Sequence, residues 1–359
     1  MITRRDFIKQ ALAAGVMCSI PHHVFGQEKP AQNLIWANLL HLSFNMWEDT
    51  VPQLINPEHQ CTCSNQAIRW WKRFYHPDLN TTFDEEVWNS LLKEMAAAGI
   101  NMVVIDLGDG VVYDSHPEIA VKNAWTPEKL RHELAKIRRL GLEPIPKLNF
   151  ATTHDTWLGE YGRMVSTSKY YEVCRNLLNE VIDIFDTPRF FHLGMDEETA
   201  GNQVGWNHLV VRQNDLWWND LYFYIAQVEK RNVRSWIWSD YAWEHPDVFF
   251  RKMPKSVLQS NWYYAESFVL EDDKAKTMVD LYRKLEAHGY DQVPTGSNWY
   301  SDKNIEATID YCREVIDPSR LLGFMQTPWR PTTSVCLDKH KEAIQQMKQA
   351  IKKNEKIKP

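Results

Sequence analysis

Short apolar runs alternate with longer amphipathic stretches along most of this 359-residue chain. Eight times, an apolar run precedes a stretch in which apolar positions recur every three or four residues. The first pattern is typical of buried strands, and the second of helices that pack one face on a sheet. The predicted strands are Leu34–Asn45, Met102–Leu107, Pro144–Asn149, Arg189–Leu193, Ser235–Ser239, Val257–Trp262, Gln292–Ser297 and Leu321–Thr327.

Capping residues support the helices predicted between these strands. Gly99, Gly141 and Gly289 each follow a helical pattern and would end it, and Thr126-Pro127 is typical of a helix start. The segment between the first strand and the first helix is predicted to be a long loop. The predicted helices are Asp84–Ala98, Thr126–Gly141, Lys169–Phe185, Asp215–Arg231, His245–Lys252, Lys274–His288, Asn304–Val315 and Lys339–Lys352.

Eight strand–helix units predict a single-domain α/β fold, a (β/α)₈ TIM barrel over residues 28–359. A doubly wound open sheet is the alternative, but its usual glycine-rich first turn is missing. Barrel active sites lie at the carboxyl ends of the strands. The residues just after each predicted strand therefore form one set of candidate site residues.

The first 27 residues predict an export signal rather than part of the fold. Arg4-Arg5 matches a twin-arginine pattern, the apolar run Ala11–Ile20 follows, and Val24–Gly26 offers a cleavage site. The apolar run is too short for a permanent membrane anchor. The mature protein is therefore expected to be periplasmic or secreted.

Composition narrows the partners. The net charge is −6 with the charges interspersed, and the absence of a basic stripe argues against nucleic acid as a partner. The 16 tryptophans are an unusually large number for 359 residues. They fit either a tryptophan-rich core or flat platforms on which sugar rings stack, and composition leaves both open.

The cysteines carry one structural prediction. Cys61 and Cys63 follow the first strand and Cys336 follows the eighth, and these two loops are neighbours in a closed barrel. A disulfide between one of the first two cysteines and Cys336 is therefore expected. Cys174 and Cys312 fall inside helical patterns and are expected to be buried apolar side chains.

Tryptophans and carboxylates recur at the predicted strand ends. Barrel interiors are mostly branched aliphatic residues, so this set as a whole is hard to explain as core, although any one tryptophan could pack a loop. Sugars stack on aromatic faces and their hydroxyls need charged acceptors, so the set favours a glycan substrate. Its members include Asp106, Asp109, Asp196, Glu197, Glu198, Trp238, Asp240, Trp262, Trp299, Asp302 and Trp329.

The fourth predicted strand runs into three consecutive carboxylates, Asp196, Glu197 and Glu198. Glycoside cleavage needs a proton donor and stabilisation of a positively charged sugar ring. Glu197 is the best donor candidate, because the neighbouring Asp196 charge and partial burial would favour its protonated form. Adjacent strand residues face opposite sides, so both reach one site only if the chain curls, as Gly194 allows. Glu198 is predicted to face the loop without a role. The alternative is a solvated loop with helix-capping carboxylates.

Phe191–Glu197, FHLGMDE, resembles the H-x-G-G-D-E motif of glycoside hydrolase family 20, the β-N-acetylhexosaminidases. Other strand ends are similar to motifs of the same family, so the resemblance covers the whole barrel. They are Pro146–Asn149 with His154, Trp238-Ser239-Asp240, Trp262, Trp299-Tyr300-Ser301-Asp302 and Trp329.

The resemblance implies substrate-assisted retention, in which the substrate's own 2-acetamido oxygen attacks the anomeric carbon. It implies that Glu197 is the general acid/base, that Asp196 orients the acetamido N–H and that Tyr300 hydrogen-bonds the acetamido oxygen. Trp238, Trp262 and Trp329 would wall the sugar. Further substrate contacts would come from Trp299, Asp302, Asp240, His154 and Asn149. No metal or organic cofactor is implied.

Four positions depart from the family's pattern. Met195 replaces the second glycine of the fourth-strand motif, Asn149 replaces an aspartate, and Pro331 falls where a sugar-binding glutamate is expected. The family's first-strand arginine has no counterpart in His41–Trp47. The resemblance therefore implies the same chemistry on altered or longer substrates.

Two other functions remain open from the sequence. A non-catalytic carbohydrate-binding barrel would fit the missing sugar contacts. A metal-dependent sugar isomerase or epimerase would use ligands such as His192, Glu197, Asp240 and Asp106.

Overall fold

A computed structural model describes residues 34–47 and 62–355 of the chain. The predicted export signal, residues 1–27, and Cys61 lie outside the described residues. No helix among the described residues combines the length and apolarity needed to cross a bilayer.

Eight parallel strands form a nearly closed barrel, as predicted. The chain order of the strands around the sheet is β6-β5-β4-β3-β2-β1-β8-β7. Single parallel bridges, Gln259 with Gln292 and Trp262 with Thr295, join the two edges. The strands are β1 Ile35–His41, β2 Met102–Asp106, β3 Glu143–Lys147, β4 Phe190–His192, β5 Arg234–Trp238, β6 Leu258–Ser260, β7 Thr295–Gly296 and β8 Gly323–Gln326.

Most predicted strands are longer than the paired segments. The clearest case is the seventh, predicted at Gln292–Ser297 but paired regularly only at Thr295–Gly296. Pro294 lies inside the run and has no N–H to donate to a neighbouring strand. Regular pairing is therefore confined to the residues that follow the proline.

The helices surround the barrel close to their predicted places, with two differences. A helix that was predicted as loop, α1, begins after Ser64, whose hydroxyl accepts from the Ala67 N–H at 3.2 Å. A short additional helix, Tyr241–Glu244, directly precedes the helix predicted at His245–Lys252. The helices are α1 Asn65–Trp71, α2 Glu85–Ala98, α3 Pro127–Arg139, α4 Ser168–Ile184, α5 Asp215–Glu229, α6 Tyr241–Glu244, α7 Pro246–Lys252, α8 Asp273–Ala287, α9 Asn304–Val315 and α10 Leu337–Glu355.

Alternate strand residues face the inside and the outside of the barrel. On β1, Ala37 and Leu39 belong to the interior cluster, whereas Leu40 packs with the layer between strands and helices. Trp236 and Trp238 occupy the interior from β5. Some of the tryptophans therefore belong to the core, and others lie above the core.

The interior ends in a polar layer at the carboxyl ends of the strands. His41, Asp106, Lys147 and His192 lie side by side in the registers of β1 to β4, and all four are buried. The Lys147 ammonium pairs with the Asp106 carboxylate, and His41 Nδ1 lies 3.6 Å from the same carboxylate. This layer is the base on which the loops above it rest.

The predicted disulfide is present between Cys63 and Cys336, with their Cα atoms 5.1 Å apart. It ties the segment before α1 to the turn that directly precedes α10. Cys174 and Cys312 are free and buried, as expected.

Removing the disulfide by Cys336→Ser should lower the free energy of unfolding by about 2–4 kcal/mol, because the crosslink restricts the unfolded chain. Urea unfolding with and without reductant measures this. Reductant should destabilise the wild-type protein and leave the variant unchanged. A wild-type protein insensitive to reductant would contradict the crosslink.

Candidate active site

A cavity of about 460 Å³ lies above the polar layer, at the carboxyl ends of the strands. Every strand except β2 is followed by, or ends in, a residue that lines it. The cavity therefore lies where the fold predicts an active site. Its lining residues are Trp47, Arg69, Lys72, His154, Asp196, Glu197, Asn202, Trp238, Trp262, Tyr264, Trp299, Tyr300 and Trp329.

The chain curls after β4 through left-handed backbone conformations. Gly194, Met195 and Glu197 have φ values of 72°, 75° and 55°. A Cβ atom on Gly194 would lie 1.9 Å from Asn149 Oδ1, so only glycine fits there. This curl lets the adjacent side chains of Asp196 and Glu197 both line the cavity.

Asn149 holds this turn from below. Its Oδ1 accepts the backbone N–H groups of Ala151 and Met195, both at 3.1 Å. Its Nδ2 donates to Asp196 Oδ1 at 2.8 Å. Asn149 does not line the cavity, so its placement is that of a support for Asp196 rather than of a direct substrate contact.

His154 lies between the two carboxylates. Its Nε2 is 3.1 Å from Asp196 Oδ2 and 3.4 Å from Glu197 Oε2, and its Nδ1 lies 2.5 Å from the Thr153 carbonyl, to which it donates. Burial disfavours the charged ring, but the two carboxylates raise the pKa of His154 to about 10. The ring is therefore an imidazolium at neutral pH, with both N–H groups donating.

The same contacts decide the charge of Asp196. Burial opposes its ionisation, but His154, Lys147 and Asn149 together hold the pKa of Asp196 well below its usual range. Asp196 is thus a buried, permanently ionised acceptor. The Glu197 side chain is more open, with 39% of its surface exposed in the cavity.

Asp240 lies beside this pair without lining the cavity. Its Oδ2 accepts the Glu197 backbone N–H at 2.8 Å, and Trp262 Nε1 is 3.4 Å from its Oδ1. Burial and the charges of Asp196 and Glu197 raise the pKa of Asp240 to about 8. Asp240 is therefore mostly protonated at neutral pH and positions the turn.

Glu198 has a structural role that sequence reasoning missed. Its carboxylate is buried, and Arg212 Nε donates to it at 2.8 Å. Arg212 also donates to the Phe150 carbonyl at 2.6 Å and reaches Asp220 at 3.2 Å. Glu198 thus anchors the loop after β4 to α5 instead of facing the loop without a role.

Aromatic rings form the opposite walls. The ring centroids of Trp238 and Trp329 are 5.9 Å apart, and Trp262 stacks on Tyr264 at 5.0 Å. Trp329 Nε1 donates to the Tyr264 hydroxyl at 3.0 Å. Trp329 holds this place with a φ of 52°, a strained conformation for a bulky residue that occurs most often at functional sites.

The structure separates the predicted residues after β7. Trp299 and Tyr300 line the cavity, and the Tyr300 side chain is largely exposed, with its hydroxyl accepting from Arg69 Nη2 at 3.3 Å. Asp302 is exposed and lies outside this cavity, on the wall of a neighbouring polar one, because the chain has already turned towards α9. Its predicted substrate contact is not part of the observed cavity.

Sequence reasoning missed three lining residues, Arg69, Lys72 and Asn202. Asn202 Nδ2 donates to the Glu197 carbonyl at 2.8 Å. Arg69 and Lys72 come from α1 and its C-cap, in the segment predicted as loop. The apolar pair Trp70-Trp71 beside two basic residues was the available signal for a helix that packs on the site.

Among the described residues, one group could hold a metal ion, namely His154, Asp196 and Glu197, whose donor atoms lie within 4.8 Å of one another. It shares only Glu197 with the ligands considered from sequence. Metal binding would require His154 to lose its proton, and its contacts with two carboxylates favour the protonated ring instead. The arrangement fits an ion-paired triad better than a metal site.

No protein-family profile matches this sequence, and no curated protein does. Solved structures with a similar fold include family 20 glycoside hydrolases. An exo-β-N-acetylglucosaminidase from Vibrio harveyi is 14% identical with a TM-score of 0.55, over 88% of this chain and 54% of that one. A β-N-acetylhexosaminidase from Bacteroides fragilis is 11% identical with a TM-score of 0.53, over 87% and 66%. The Streptomyces plicatus N-acetyl-β-hexosaminidase is 11% identical with a TM-score of 0.56, over 87% and 63%.

This chain therefore spans about half to two thirds of the length of those structures. At such low identity, the likeness establishes the shared (β/α)₈ fold and leaves the chemistry to the residues of the site.

Gly194→Ala should lower the free energy of unfolding by more than about 2 kcal/mol, because both the positive φ and the contact with Asn149 exclude a side chain. Gly141→Ala is the matched control, since Gly141 has a φ of 81° with nothing within 4 Å of the added Cβ. Its cost should be about 1 kcal/mol. Urea unfolding of both variants measures the two losses of unfolding free energy. Equal losses would contradict the close contact between Gly194 and Asn149.

The stability contributed by His154 should depend on pH. Its pKa is raised from 6.5 to about 10, so its contribution is complete below pH 6.5 and is lost as the pH rises towards 10. Urea unfolding should show the largest difference between wild type and His154→Gln near pH 6, and a smaller one above pH 9. The control His132→Gln, at an exposed position, should show little difference at either pH. A His154→Gln difference that does not vary with pH would contradict the imidazolium.

Proposed function

We propose that the protein is an exported glycoside hydrolase, similar to β-N-acetylhexosaminidases, that cleaves N-acetylhexosamine-containing glycans by substrate-assisted, retaining hydrolysis. The observation that carries this proposal is the turn after β4, which brings the carboxylates of Asp196 and Glu197 into one tryptophan-walled cavity. The resemblance of the strand ends to family 20 motifs and the shared barrel fold support it.

Glu197 is the proposed general acid and base. Its side chain is open to the cavity on one side and contacts the His154 imidazolium on the other. It gives its proton to the glycosidic oxygen as the bond from that oxygen to the anomeric carbon breaks. It later takes a proton from the water that attacks the same carbon.

Asp196 is the proposed partner of the acetamido group. The acetamido oxygen forms the new bond to the anomeric carbon, giving a positively charged oxazolinium ring, and this bond breaks again when water attacks that carbon. An aspartate that stays ionised accepts the acetamido N–H and stabilises that charge. The contacts of Asp196 with His154 and Asn149 hold it ionised and oriented before the substrate binds.

The aromatic residues are the proposed sugar-binding walls. Trp238, Trp262 and Trp329 line the cavity together with Trp299, and their rings offer flat apolar surfaces to the sugar C–H faces. Tyr300 is the proposed donor to the acetamido oxygen. Its hydroxyl accepts from Arg69 and keeps its own hydrogen to donate.

Export and location are part of the same proposal. The twin-arginine pattern at Arg4-Arg5 supports a periplasmic or secreted enzyme, where glycans are the expected substrate and a nucleic acid is not. No cofactor is assigned, since the proposed chemistry uses only side chains and the substrate.

Glu197→Gln should lower kcat on an aryl N-acetyl-β-hexosaminide by at least about 10²-fold, because the amide has no proton to transfer. Asp196→Asn should lower kcat similarly, since it removes the charge that faces the oxazolinium. A panel of aryl N-acetylhexosaminides measures both. Calorimetry should show that Glu197→Gln still binds N-acetylglucosamine.

Unchanged turnover by Glu197→Gln would overturn the role given to that residue. Sugar binding without turnover of any glycoside would instead identify the protein as a non-catalytic carbohydrate-binding barrel.

A further inference from the structure

Two cationic side chains line the same cavity as the carboxylates. Arg69 and Lys72 lie three positions apart on α1 and its C-cap, so they project from the same face. Both line the cavity together with Asp196 and Glu197. The cavity lining thus contains both acidic and basic side chains.

The Lys72 ammonium is held by aromatic rings. Its Nζ lies 3.9 Å from the ring centroid of Trp47, 4.9 Å from that of Trp299 and 5.9 Å from that of Trp329. Cation–π contacts stabilise the charge but accept none of its N–H groups in a conventional hydrogen bond. Within residues 34–47 and 62–355, no hydrogen bond or ion pair of this ammonium is present.

Arg330 is a nearby cation whose role is structural, and it provides a comparison for Lys72. Its guanidinium donates to the carbonyls of Pro328 and Trp329 and to Asn65, and it stacks on Trp299 at 4.4 Å. Its hydrogen-bonding groups are largely used in joining the loop after β8 to α1. In contrast, the N–H groups of the Lys72 ammonium have no acceptor among the described residues.

Arg69 complements Lys72 from the edge of the cavity. It is exposed, its guanidinium lies 6.0 Å from the Trp299 ring, and it donates to the Tyr300 hydroxyl. Among the described residues, its other N–H groups have no hydrogen-bond acceptor. Oxyanions satisfy several such donors at once, and hydrogen bonds between charged groups are among the strongest in proteins.

We propose that Arg69 and Lys72 bind an anionic substituent of the substrate, so that the preferred glycan carries a sulfate or a carboxylate on or next to the sugar in the cavity. This inference rests on the proposed function for the identity of the ligand as a sugar. It goes further by naming the substrate class and the two residues that select it.

The desolvation of Lys72 supports this role. Burial, against the attraction of Glu197, lowers the pKa of Lys72 to about 7, so the ammonium costs free energy until an anion pairs with it. The ratio of the affinities for the charged and the neutral sugar should therefore fall as the pH rises above 7. The charged or titratable groups that face Lys72 are Glu197, Asp196, Arg330, Arg69 and His41.

Calorimetry with monosaccharides tests the proposal without requiring turnover. The ligands are N-acetylglucosamine, its 6-sulfate and glucuronic acid, which separate a sulfate from a carboxylate source. At least one charged sugar should bind about tenfold or more tightly than the neutral one, and the difference should shrink at high salt.

The variants assign the effect to its residues. Lys72→Gln and Arg69→Gln should each lower the ratio of the affinities for the charged and the neutral sugar, and Lys72→Arg should restore that ratio. Arg73→Gln is the matched control, since Arg73 follows on the same segment but is exposed and outside the cavity. Because Arg69 is exposed, its variant tests the idea even if Lys72→Gln does not fold.

Equal affinity for neutral and charged sugars, or a preference unchanged in both variants, would overturn the inference. The proposed function fails separately. Hydrolysis of neutral N-acetylhexosaminides without charge preference would leave the function standing, whereas charge-selective binding without hydrolysis would leave only the inference.

Discussion

The site depends on how this fold neutralises carboxylates that are adjacent in the chain. Asp196 and Asp240 are buried and Glu197 lies beside them at the cavity surface, and like charges so placed repel. The His154 imidazolium lies between Asp196 and Glu197, Lys147 adds a positive charge from the barrel interior, and Asp240 keeps its proton near neutral pH. Asp196 and Asp240 therefore differ in their protonation preference, because their contacts differ.

That arrangement extends into the barrel and the surrounding loops. A polar layer of His41, Asp106, Lys147 and His192 replaces the branched residues expected at the top of a barrel interior. Buried ion pairs such as Lys147 with Asp106 contribute little net stability because desolvation offsets their attraction. Their position below Asp196 makes better sense as electrostatic support of the site than as a source of stability.

The fold and much of the site were predictable from local pattern. Alternating runs predicted the eight strands and the barrel, and the rule that strand ends converge predicted that Asp196, Glu197, Trp238, Trp262 and Trp329 share a cavity. Helix α1 was missed because its seven residues are too short to show a helical period. Arg69 and Lys72 were missed together with this helix. Both contact Trp299, which is far away in the sequence, and Lys72 also contacts Trp47.

The sequence by itself determined the fold class, the disulfide partners to within one cysteine and the set of side chains offered at the strand ends, because hydrophobic period and barrel closure follow from local rules. Only the tertiary structure decided which of them act together. It turned the chain through left-handed residues at Gly194 and Met195 and paired Glu198 with Arg212. It also left Asn149, Asp240 and Asp302 out of the cavity lining. Those outcomes depend on contacts between loops, where packing and charge compensation override the pattern of neighbouring residues.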